Sequence, residues 1–262
     1  MSTPNFRFKQ FTVWHDKCAM KVGTDGVLLG AWCTPTPRFT DSPIHRFTIL
    51  DIGTGSGLIA LMLAQRCPDA HIDAIDIDPQ AIEQATYNFA QSPWSKHLSA
   101  HLSPLQSWHP DSPIHRFPDS PIKYDLIVSN PPYFVDSLKN PDKGREQARH
   151  TDTLSYEDLL KHSARLLNEQ GTLALVLPAS AEEQIIRLAS NYGLYPVRLT
   201  RVYSKPDRPT PIRILIEFCK ESPIFPEVSP LMGDLEGSSL CISSSTSPCS
   251  AEYAEMTKDF YL

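Results

Sequence analysis

The sequence lacks any run of about eighteen apolar residues, and its first residues lack the basic and then apolar pattern of a signal peptide. We therefore expect a cytoplasmic protein with no membrane span. Its six cysteines form no CxxC pair and show no metal-ligand spacing. This absence predicts free thiols, as is usual in a reducing compartment, and no metal site.

The chain also lacks a net positive charge, since 24 basic and 30 acidic side chains leave a net charge of −6. The excess of acids comes from the C-terminal part, where eight acids but only two bases lie from Glu217 onward. The first 216 residues hold 22 of each and are neutral overall. Local basic patches on that neutral part are therefore compatible with a nucleic-acid partner.

What the sequence does contain is an alternation of short β-branched runs and amphipathic helical stretches after Phe47. This α/β alternation predicts a doubly wound, mostly parallel sheet. Such sheets bind ligands at the carboxyl ends of their strands, so we expect the functional site at that edge. The predicted strands are 47–52, 71–77, 98–102, 124–129, 171–177, 196–202 and 212–219, and the predicted helices are 58–66, one from Pro79 with Asp78 as its cap, 155–167 and 181–192.

The length of 262 residues suits one domain with additions rather than two full domains. We expect an N-terminal extension over 1–46, a central α/β domain over 47–220 and an acidic C-terminal tail over 221–262. Within the tail, the serine-rich stretch Ser238–Ser250 is typical of a flexible linker. The amphipathic segment Ala251–Leu262 after it is expected to dock as a helix.

A seven-residue peptide, Asp-Ser-Pro-Ile-His-Arg-Phe, occurs at Asp41–Phe47 and again at Asp111–Phe117. Its prolines and polar residues are typical of loops. Both copies precede a predicted strand, and parallel strands are entered at the amino edge of the sheet. We therefore expect both copies opposite to the functional site, in loops that tolerate sequence drift.

A glycine-rich turn, Asp51–Gly57, lies between the first strand and the first helix of the alternation. Glycines let a backbone turn sharply and approach a ligand closely, although several nucleotide-binding folds use such a turn. Asp76 ends the second strand 25 residues after Asp51, as a ribose-binding carboxylate does. The leading acid makes the turn resemble motif I of class I methyltransferases, which holds the methionine part of S-adenosyl-L-methionine. The candidate cofactor-binding residues are Asp51, Gly53, Gly55, Gly57, Asp76, Ile77 and Asn130.

The motif Asn130-Pro131-Pro132-Tyr133 follows the fourth strand at its carboxyl end. The side-chain oxygen of Asn130 and the carbonyl of Pro131 can each accept a hydrogen bond from an amine and hold its nitrogen in line for attack. The prolines stiffen the loop, and Tyr133 is expected to stack on a target base. A proline turn alone is common, but after the glycine-rich turn this motif predicts methylation of an amino group, with all four residues as candidate catalytic residues.

Two N-terminal blocks, Asn5–Phe11 and Cys18–Trp32, resemble a family of bacterial methyltransferases that modify valine tRNA. The resemblance implies a class I methyltransferase fold, with a seven-stranded sheet whose last strand is antiparallel. It also implies S-adenosyl-L-methionine as the cofactor and methylation of the N6 nitrogen of the adenosine immediately 3′ of the anticodon. The resemblance continues nearly to the end of the chain, at 61–65, 92–94, 130–133, 145–149 and 259–262.

The chain departs from the pattern of these enzymes after the third strand, where they often carry an acid that contacts the adenine of the cofactor. The corresponding segment, 101–106, contains no acid. We expect Ser103 to accept that hydrogen bond instead and Leu105 to pack on the adenine ring.

The N-terminal block contains a polar turn before an apolar helix that runs to Trp32. Thr24 or Asp25 is the expected cap of this helix. The turn, with Lys21, Thr24 and Asp25 as further candidate cofactor-binding residues, is expected to close over the cofactor. The alternative is a purely structural helix that covers the sheet.

Basic residues cluster in two stretches, one after the Asn-Pro-Pro-Tyr motif and one near the end of the predicted sheet. Phosphate contacts supply much of the affinity for RNA, so either stretch is a candidate for binding the anticodon arm of a tRNA. The alternative for each is a solvated charged surface. The candidate RNA-binding residues are Lys143, Arg145, Arg149, Arg201, Lys205 and Arg208.

Three other functions share parts of this pattern. Protein glutamine N5-methyltransferases use the same motif, but they carry a larger N-terminal domain than the fifty residues before Asp51 allow. Other nucleic-acid adenine-N6 methyltransferases, such as those of DNA, need a sizeable target-recognition region that is not visible here. A tRNA-binding protein on a methyltransferase scaffold would not need the acceptors at Asn130 and Pro131.

Overall fold

The strands of the computed structural model follow the predicted alternation closely. The structure describes residues 4–18, 20–33, 35, 47–110, 123–132, 154–220, 237–244 and 247–261. The strands are β1 (Asn5–Arg7), β2 (Thr12–Trp14), β3 (Thr48–Ile52), β4 (His71–Asp76), β5 (Leu98–Leu102), β6 (Tyr124–Ser129), β7 (Leu167–Pro178), β8 (Tyr195–Tyr203), β9 (Arg213–Cys219) and β10 (Ser238–Cys241). The helices are α1 (Thr24–Trp32), α2 (Leu58–Arg66), α3 (Pro79–Ala90), α4 (Tyr156–Leu166), α5 (Glu182–Ser190) and α6 (Ala251–Thr257).

The central sheet has the order β10-β8-β9-β7-β6-β3-β4-β5. Strands β3 to β7 are parallel, and β9 runs antiparallel to both of its neighbours, β7 and β8. The seven predicted strands are therefore all present, with the last of them antiparallel, which confirms a mostly parallel class I sheet. The expected count of seven strands is wrong, because β10 adds an eighth strand at the edge. The carboxyl ends of β3, β4, β5, β6 and β7 meet at one edge, where the site was expected.

The sheet separates two apolar layers, because successive side chains of a strand point to opposite faces. On one face α1, α2, α3 and α6 contribute residues such as Leu28, Leu61 and Phe89. On the other face α4 and α5 contribute Leu160 and Ile185. Helices on both faces of the sheet leave the ends of its strands as the natural position for a ligand.

The strand β10 corrects the prediction of a flexible linker over 238–250. Ser238–Cys241 pair in parallel with β8, from Thr200 opposite Ser238 to Tyr203 opposite Cys241. The edge of β8 offers unpaired backbone groups, and Leu240 becomes buried when β10 covers them. Serine-rich composition does not reveal such pairing, so the linker prediction is wrong for these residues. The helix expected after it is present as α6, whose cap Ser250 accepts a hydrogen bond from the Tyr253 amide at 3.0 Å.

The predicted side-chain cap of α1 is also wrong. The helix begins at Thr24 after Gly23, which makes no side-chain cap hydrogen bond. The helix packs closely on α2, since a Cβ atom at Gly26 would lie 2.9 Å from Leu58 Cδ2 and one at Gly30 would lie 2.7 Å from Met62 Sδ. The two glycines therefore let α1 lie directly against α2.

Other expectations from the sequence concern the cysteines, metal ligands, membrane helices and the repeated peptides. All six cysteines are free thiols. Within the described ranges, no group of three or more His, Cys, Asp or Glu side chains is placed to hold a metal ion, and no helix is long and apolar enough to cross a membrane. Of the repeated peptides, Phe47 alone lies within the described residues, directly before β3, so their expected position stays a prediction.

Candidate active site

The carboxyl edge of the sheet borders one cavity of about 930 Å³. This volume is within the range of small-molecule and cofactor sites, roughly 300–1,000 Å³. The cavity brings together predicted residues that are far apart in sequence. Those that line it are Lys21, Thr24, Asp25, Gly53, Gly55, Asp76, Ile77, Ser103, Leu105, Asn130, Pro131 and Pro132.

The glycine-rich turn forms the wall of the cavity next to β3. Gly53 and Gly55 have φ angles of 69° and 55°, in the left-handed region that favours glycine. A Cβ atom at either position would meet nothing within 4 Å, so the backbone of the loop faces open space. The amides of Gly53 and Thr54 donate to the carbonyl of Ile75 at 2.9 and 3.1 Å, which fixes the loop against β4. A backbone that is both fixed and open at its glycines lets a ligand approach it closely.

Gly57 has a different position from the other two glycines. It caps α2 with a φ of 80°, and a Cβ atom there would lie 2.5 Å from Phe89 Cε1. Gly57 therefore allows α2 and α3 to pack closely, and it is not among the residues that line the cavity. Its predicted contact with the cofactor stays a prediction.

Asp51 lies beneath the glycine-rich turn and is fully buried. Its Oδ2 accepts hydrogen bonds from Thr54 Oγ1 at 2.7 Å and from the Ala60 amide at 3.2 Å. Its Oδ1 is buried without a hydrogen-bond partner among the described residues. Burial raises the pKa of this carboxyl to about 7. One oxygen thus remains available to a donor, although the direct contact of Asp51 with the cofactor stays a prediction.

Asp76 stands at the end of β4, as predicted, and its carboxylate organises two loops. Its Oδ2 accepts from the Gly55 amide at 2.9 Å, and its Oδ1 accepts from the Asp78 amide at 3.0 Å. Each carboxylate oxygen can accept a second hydrogen bond, so both remain available to ribose hydroxyls. Asp78 caps α3 by accepting from the Gln80 amide at 2.8 Å, which confirms the predicted cap.

The segment after β5 closes the same side of the cavity. The Ser103 amide donates to the carbonyl of Asp76 at 3.0 Å, and the Ser103 hydroxyl donates to the carbonyl of Pro104 at 3.1 Å. Leu105 is buried on the cavity wall, whereas Ile77 and Leu102 leave 56% and 58% of their surfaces exposed there. Exposed aliphatic groups next to Asp76 suit a flat ring such as the adenine of the cofactor.

The Asn-Pro-Pro motif begins beside the glycine-rich turn. Ser129 ends β6 opposite Ile52, and its hydroxyl donates to the Ile52 carbonyl at 2.9 Å. Asn130 is therefore the first residue beyond β6, half-buried at the cavity wall, with Pro131 buried and Pro132 exposed after it. Tyr133 lies outside the described residues. The acceptors proposed for the amine thus share one cavity with the cofactor loop.

Some residues of the cavity were missed or misread in the sequence. Arg213 follows the basic candidates Lys205 and Arg208 closely in the sequence, but its Nε donates to Asp25 Oδ2 at 2.9 Å in the cavity wall. No sequence signal marked Leu154 or Ile212, and Ile242 lay in the expected linker. Ile212 and Ile242 reach the wall through hydrogen bonds to the end of β8, and Leu154 lies shortly before α4. The other lining residues without a predicted role include Cys18, Met20, Gln106 and Ser129.

The candidate RNA-binding residues occupy unequal environments. Lys205 and Arg208 lie exposed in the turn from β8 to β9, which is at the carboxyl edge because β8 runs parallel to β7. Neither side chain forms an ion pair within the part of the chain that the structure describes. Arg201 instead donates from Nε to Glu182 Oε2 at 3.0 Å, and its pKa is raised by that contact. Lys143, Arg145 and Arg149 lie outside the described residues.

The sheet order, the left-handed glycines, the acid at the end of β4 and the Asn-Pro-Pro turn define a class I S-adenosylmethionine-dependent methyltransferase. The orphaned Asp51 oxygen and the open face of the glycine-rich turn fit this cofactor. The model of the methyltransferase small domain family matches residues 38–193. A crystal structure of a predicted O-methyltransferase from Agrobacterium tumefaciens has the same fold, with a TM-score of 0.62 and 15% identity over 90% of this chain and 96% of that one.

Comparison with curated proteins identifies a more specific family of methyltransferases. The chain is 49% identical to the tRNA1(Val) (adenine(37)-N6)-methyltransferase of Parabacteroides distasonis, over 100% of this chain and 99% of the relative. It is 47% identical to the enzyme of that name from Bacteroides fragilis, with the same coverage. The chain belongs to this family of methyltransferases, and S-adenosyl-L-methionine is its cofactor.

Proposed function

We propose that this enzyme transfers a methyl group from S-adenosyl-L-methionine to the N6 nitrogen of adenosine-37 in a valine tRNA, as the names of its relatives describe for them. The observation that carries the proposal is the position of Asn130 and Pro131 in the same cavity as Gly53, Gly55 and Asp76. The tRNA substrate also makes the cytoplasm the proposed site of action.

The chemistry follows from the acceptors at the end of β6. The amino group of adenine is a poor nucleophile because its lone pair is delocalised into the ring. Asn130 Oδ1 and the Pro131 carbonyl would each accept one hydrogen bond from this group, which holds the nitrogen in place and favours its pyramidal form. The bound S-adenosyl-L-methionine supplies the methyl group as an electrophile. A strong general base is unnecessary, since the nitrogen becomes acidic once it is methylated.

The proposed RNA footprint lies at the same edge of the sheet. Lys205 and Arg208 are exposed in the β8–β9 turn, and this turn continues directly into Ile212 and Arg213 of the cavity wall. Phosphate contacts by this turn would position the anticodon arm over the cavity. Lys143, Arg145 and Arg149 are proposed to extend the footprint, and Tyr133 to stack on the target base. We propose tRNA rather than DNA as the nucleic-acid partner.

The proposal is tested with purified protein, labelled S-adenosyl-L-methionine and a valine tRNA transcript. Methylation should yield N6-methyladenosine at position 37, and a transcript with guanosine there should remain unlabelled. A glutamine-containing peptide serves as the substrate of the alternative glutamine methyltransferase. Labelling of the peptide but not of the tRNA would overturn the proposal, and binding of tRNA without any labelling would favour a non-catalytic RNA-binding protein.

The role of Asn130 is tested by Asn130→Ala. The loss of one acceptor at the amine should lower kcat by about 10²-fold or more, a far larger effect than any loss of affinity for the cofactor, which Asn130 is also expected to contact. Asn191→Ala is the matched control, because Asn191 is exposed at the end of α5 and does not line the cavity. Near-normal turnover by Asn130→Ala would contradict the mechanism.

A further inference from the structure

The cavity extends along the edge of the sheet on both sides of β6, which Asn130 follows, so the strand order divides its lining into two halves. The half next to β3, β4 and β5 contains Gly55, Asp76 and Ser103 of the cofactor site. The other half borders the ends of β6, β9, β8 and β10, which follow one another toward the opposite side of the sheet with β7 between β6 and β9. Its walls include Ile212, which is exposed, and Ile242, which is half-buried and also packs against the core.

Ile212 is held firmly while its side chain stays open to the cavity. Its amide donates to the Val202 carbonyl at 2.8 Å, and its carbonyl accepts from the Ala179 amide at 3.3 Å. These bonds fix the backbone between the ends of β8 and β7. Ile212 nevertheless leaves 40% of its surface exposed. A rigid backbone that presents an exposed aliphatic side chain inside a cavity indicates contact with a ligand.

Ile242 reaches the cavity from the other side of β8. Its amide donates to the Tyr203 carbonyl at 2.9 Å, and its carbonyl accepts from the Ser250 amide at 2.8 Å. Ser250 is also the cap of α6, and its hydroxyl donates to the Cys241 carbonyl. The edge strand and the terminal helix thus hold Ile242 in position. Because Val202 and Tyr203 are consecutive, Ile212 and Ile242 are fixed to neighbouring points of the sheet edge.

We propose that Ile212 and Ile242 form the apolar wall of the subsite for the target base. This inference deepens the proposed function and rests on it. The face of a nucleobase is apolar, whereas its amino group needs the acceptors at Asn130 and Pro131. A base that leaves its stack would gain contacts with the two isoleucines on its face and hydrogen bonds on its edge. A phosphate or a charged amine gains nothing from an aliphatic wall, so the subsite selects a flat, uncharged amine.

The test uses the full-length protein and an anticodon stem-loop RNA that carries 2-aminopurine at the target position. The fluorescence of this base rises when it leaves the RNA stack, so the rise reports extrusion of the base without a requirement for turnover, and its dependence on the two isoleucines reports entry into the subsite. We expect the double variant Ile212→Ala/Ile242→Ala to lower this rise and to reduce kcat/KM for unmodified tRNA by about tenfold or more. Affinity for S-adenosyl-L-methionine, measured by calorimetry, should stay unaltered.

Control variants distinguish the loss of the subsite wall from a general loss of side-chain packing. Ile186→Ala is the control, since Ile186 is half-buried on α5 and packs on the core away from the cavity. The variants Ile212→Val and Ile242→Leu should retain most of the fluorescence rise. If the alanine variants fail to fold, Ile212→Thr and Ile242→Thr keep the branched shape and place a hydroxyl in the wall. They should weaken base entry in the same way.

The outcomes distinguish the two proposals. A wild-type protein that neither methylates tRNA nor raises the fluorescence would overturn the proposed function. A wild-type protein that does both, with alanine and threonine variants that behave like it, would overturn the subsite alone. A loss of cofactor affinity equal to the loss of base entry would also overturn the subsite, because it would assign the isoleucines to the cofactor half.

Discussion

Arg213 donates from Nε to Asp25 Oδ2 at 2.9 Å and so joins the start of β9 to the first turn of α1. The two residues are separated by 188 positions, and both line the cavity. The side chains of Arg213 and Asp25 are only 28% and 23% exposed, so solvent screens this pair less than a surface ion pair. The contact ties the N-terminal polar turn to the half of the sheet that is proposed to bind RNA.

Breaking this pair should weaken cofactor binding. Arg213→Gln or Asp25→Asn removes the charge of one partner, which frees the segment around Lys21 and Thr24 from β9. We expect each variant to lose about 1–3 kcal/mol of unfolding free energy and to bind S-adenosyl-L-methionine more weakly in calorimetry. The charge-swapped variant Asp25→Arg/Arg213→Asp should recover part of both losses. Unchanged cofactor affinity in both single variants would show that the pair has only a structural role.

Asp76→Ala should weaken cofactor binding more strongly, because Asp76 is the proposed ribose ligand and also holds the Gly55 and Asp78 amides. The loss of a hydrogen bond to a charged group corresponds to about 10- to 100-fold in affinity. Calorimetry measures this change, and circular dichroism establishes that the variant is folded. Asp69→Ala is the control, since Asp69 is exposed in the turn before β4. Equal affinities in the two variants would contradict the ribose assignment.

The two exposed bases of the β8–β9 turn should contribute more to RNA binding than Arg201. For Lys205→Ala/Arg208→Ala we expect weaker tRNA binding and a slope of log K against log salt that is smaller by about 0.7–0.9 for each phosphate that the variant no longer binds. Arg201→Ala should change the slope less, because Glu182 already neutralises that charge. Lys161→Ala/Arg187→Ala is the matched control, with both residues exposed on helices. An unaltered slope in the first variant would move the footprint toward Lys143, Arg145 and Arg149.

The unfolding free energy of the protein should depend on pH through Asp51. Burial raises the pKa of this carboxyl to about 7 from its ordinary value of 3.8, so the folded state retains a proton that the unfolded state loses. Its contribution is therefore complete below pH ~4 and is lost as the pH rises through about 7. Relative to Asp51→Asn, the unfolding free energy of the wild type should fall by at most about 1.4 kcal/mol per pH unit in this window and stay level above it. Urea denaturation without cofactor measures the difference, and a difference independent of pH would contradict the assignment.

The sequence by itself determined the elements of the sheet and the main parts of the site. The bounds predicted for β5, β6 and α2 match the structure, because their periodicity and flanking residues are local. The glycine-rich turn, Asp76 and Asn130 were predicted to meet, since the carboxyl ends of parallel strands share one edge whatever the details of packing. Topology alone thus placed the cofactor loop beside the proposed acceptors.

Only the tertiary structure decided which distant residues complete the cavity. The pairing of β10 with β8 turned a serine-rich stretch into a strand and brought Ile242 to the wall. Arg201 and Arg213 both lie among basic residues in the sequence. In the structure each forms an ion pair, Arg201 with Glu182 and Arg213 with Asp25, so the partner carboxylate offsets its charge. Such contacts depend on backbone edges and side chains that are far apart in the chain. Composition and local periodicity carry no information about them, because the free energy of these pairs is gained only when the sheet has assembled.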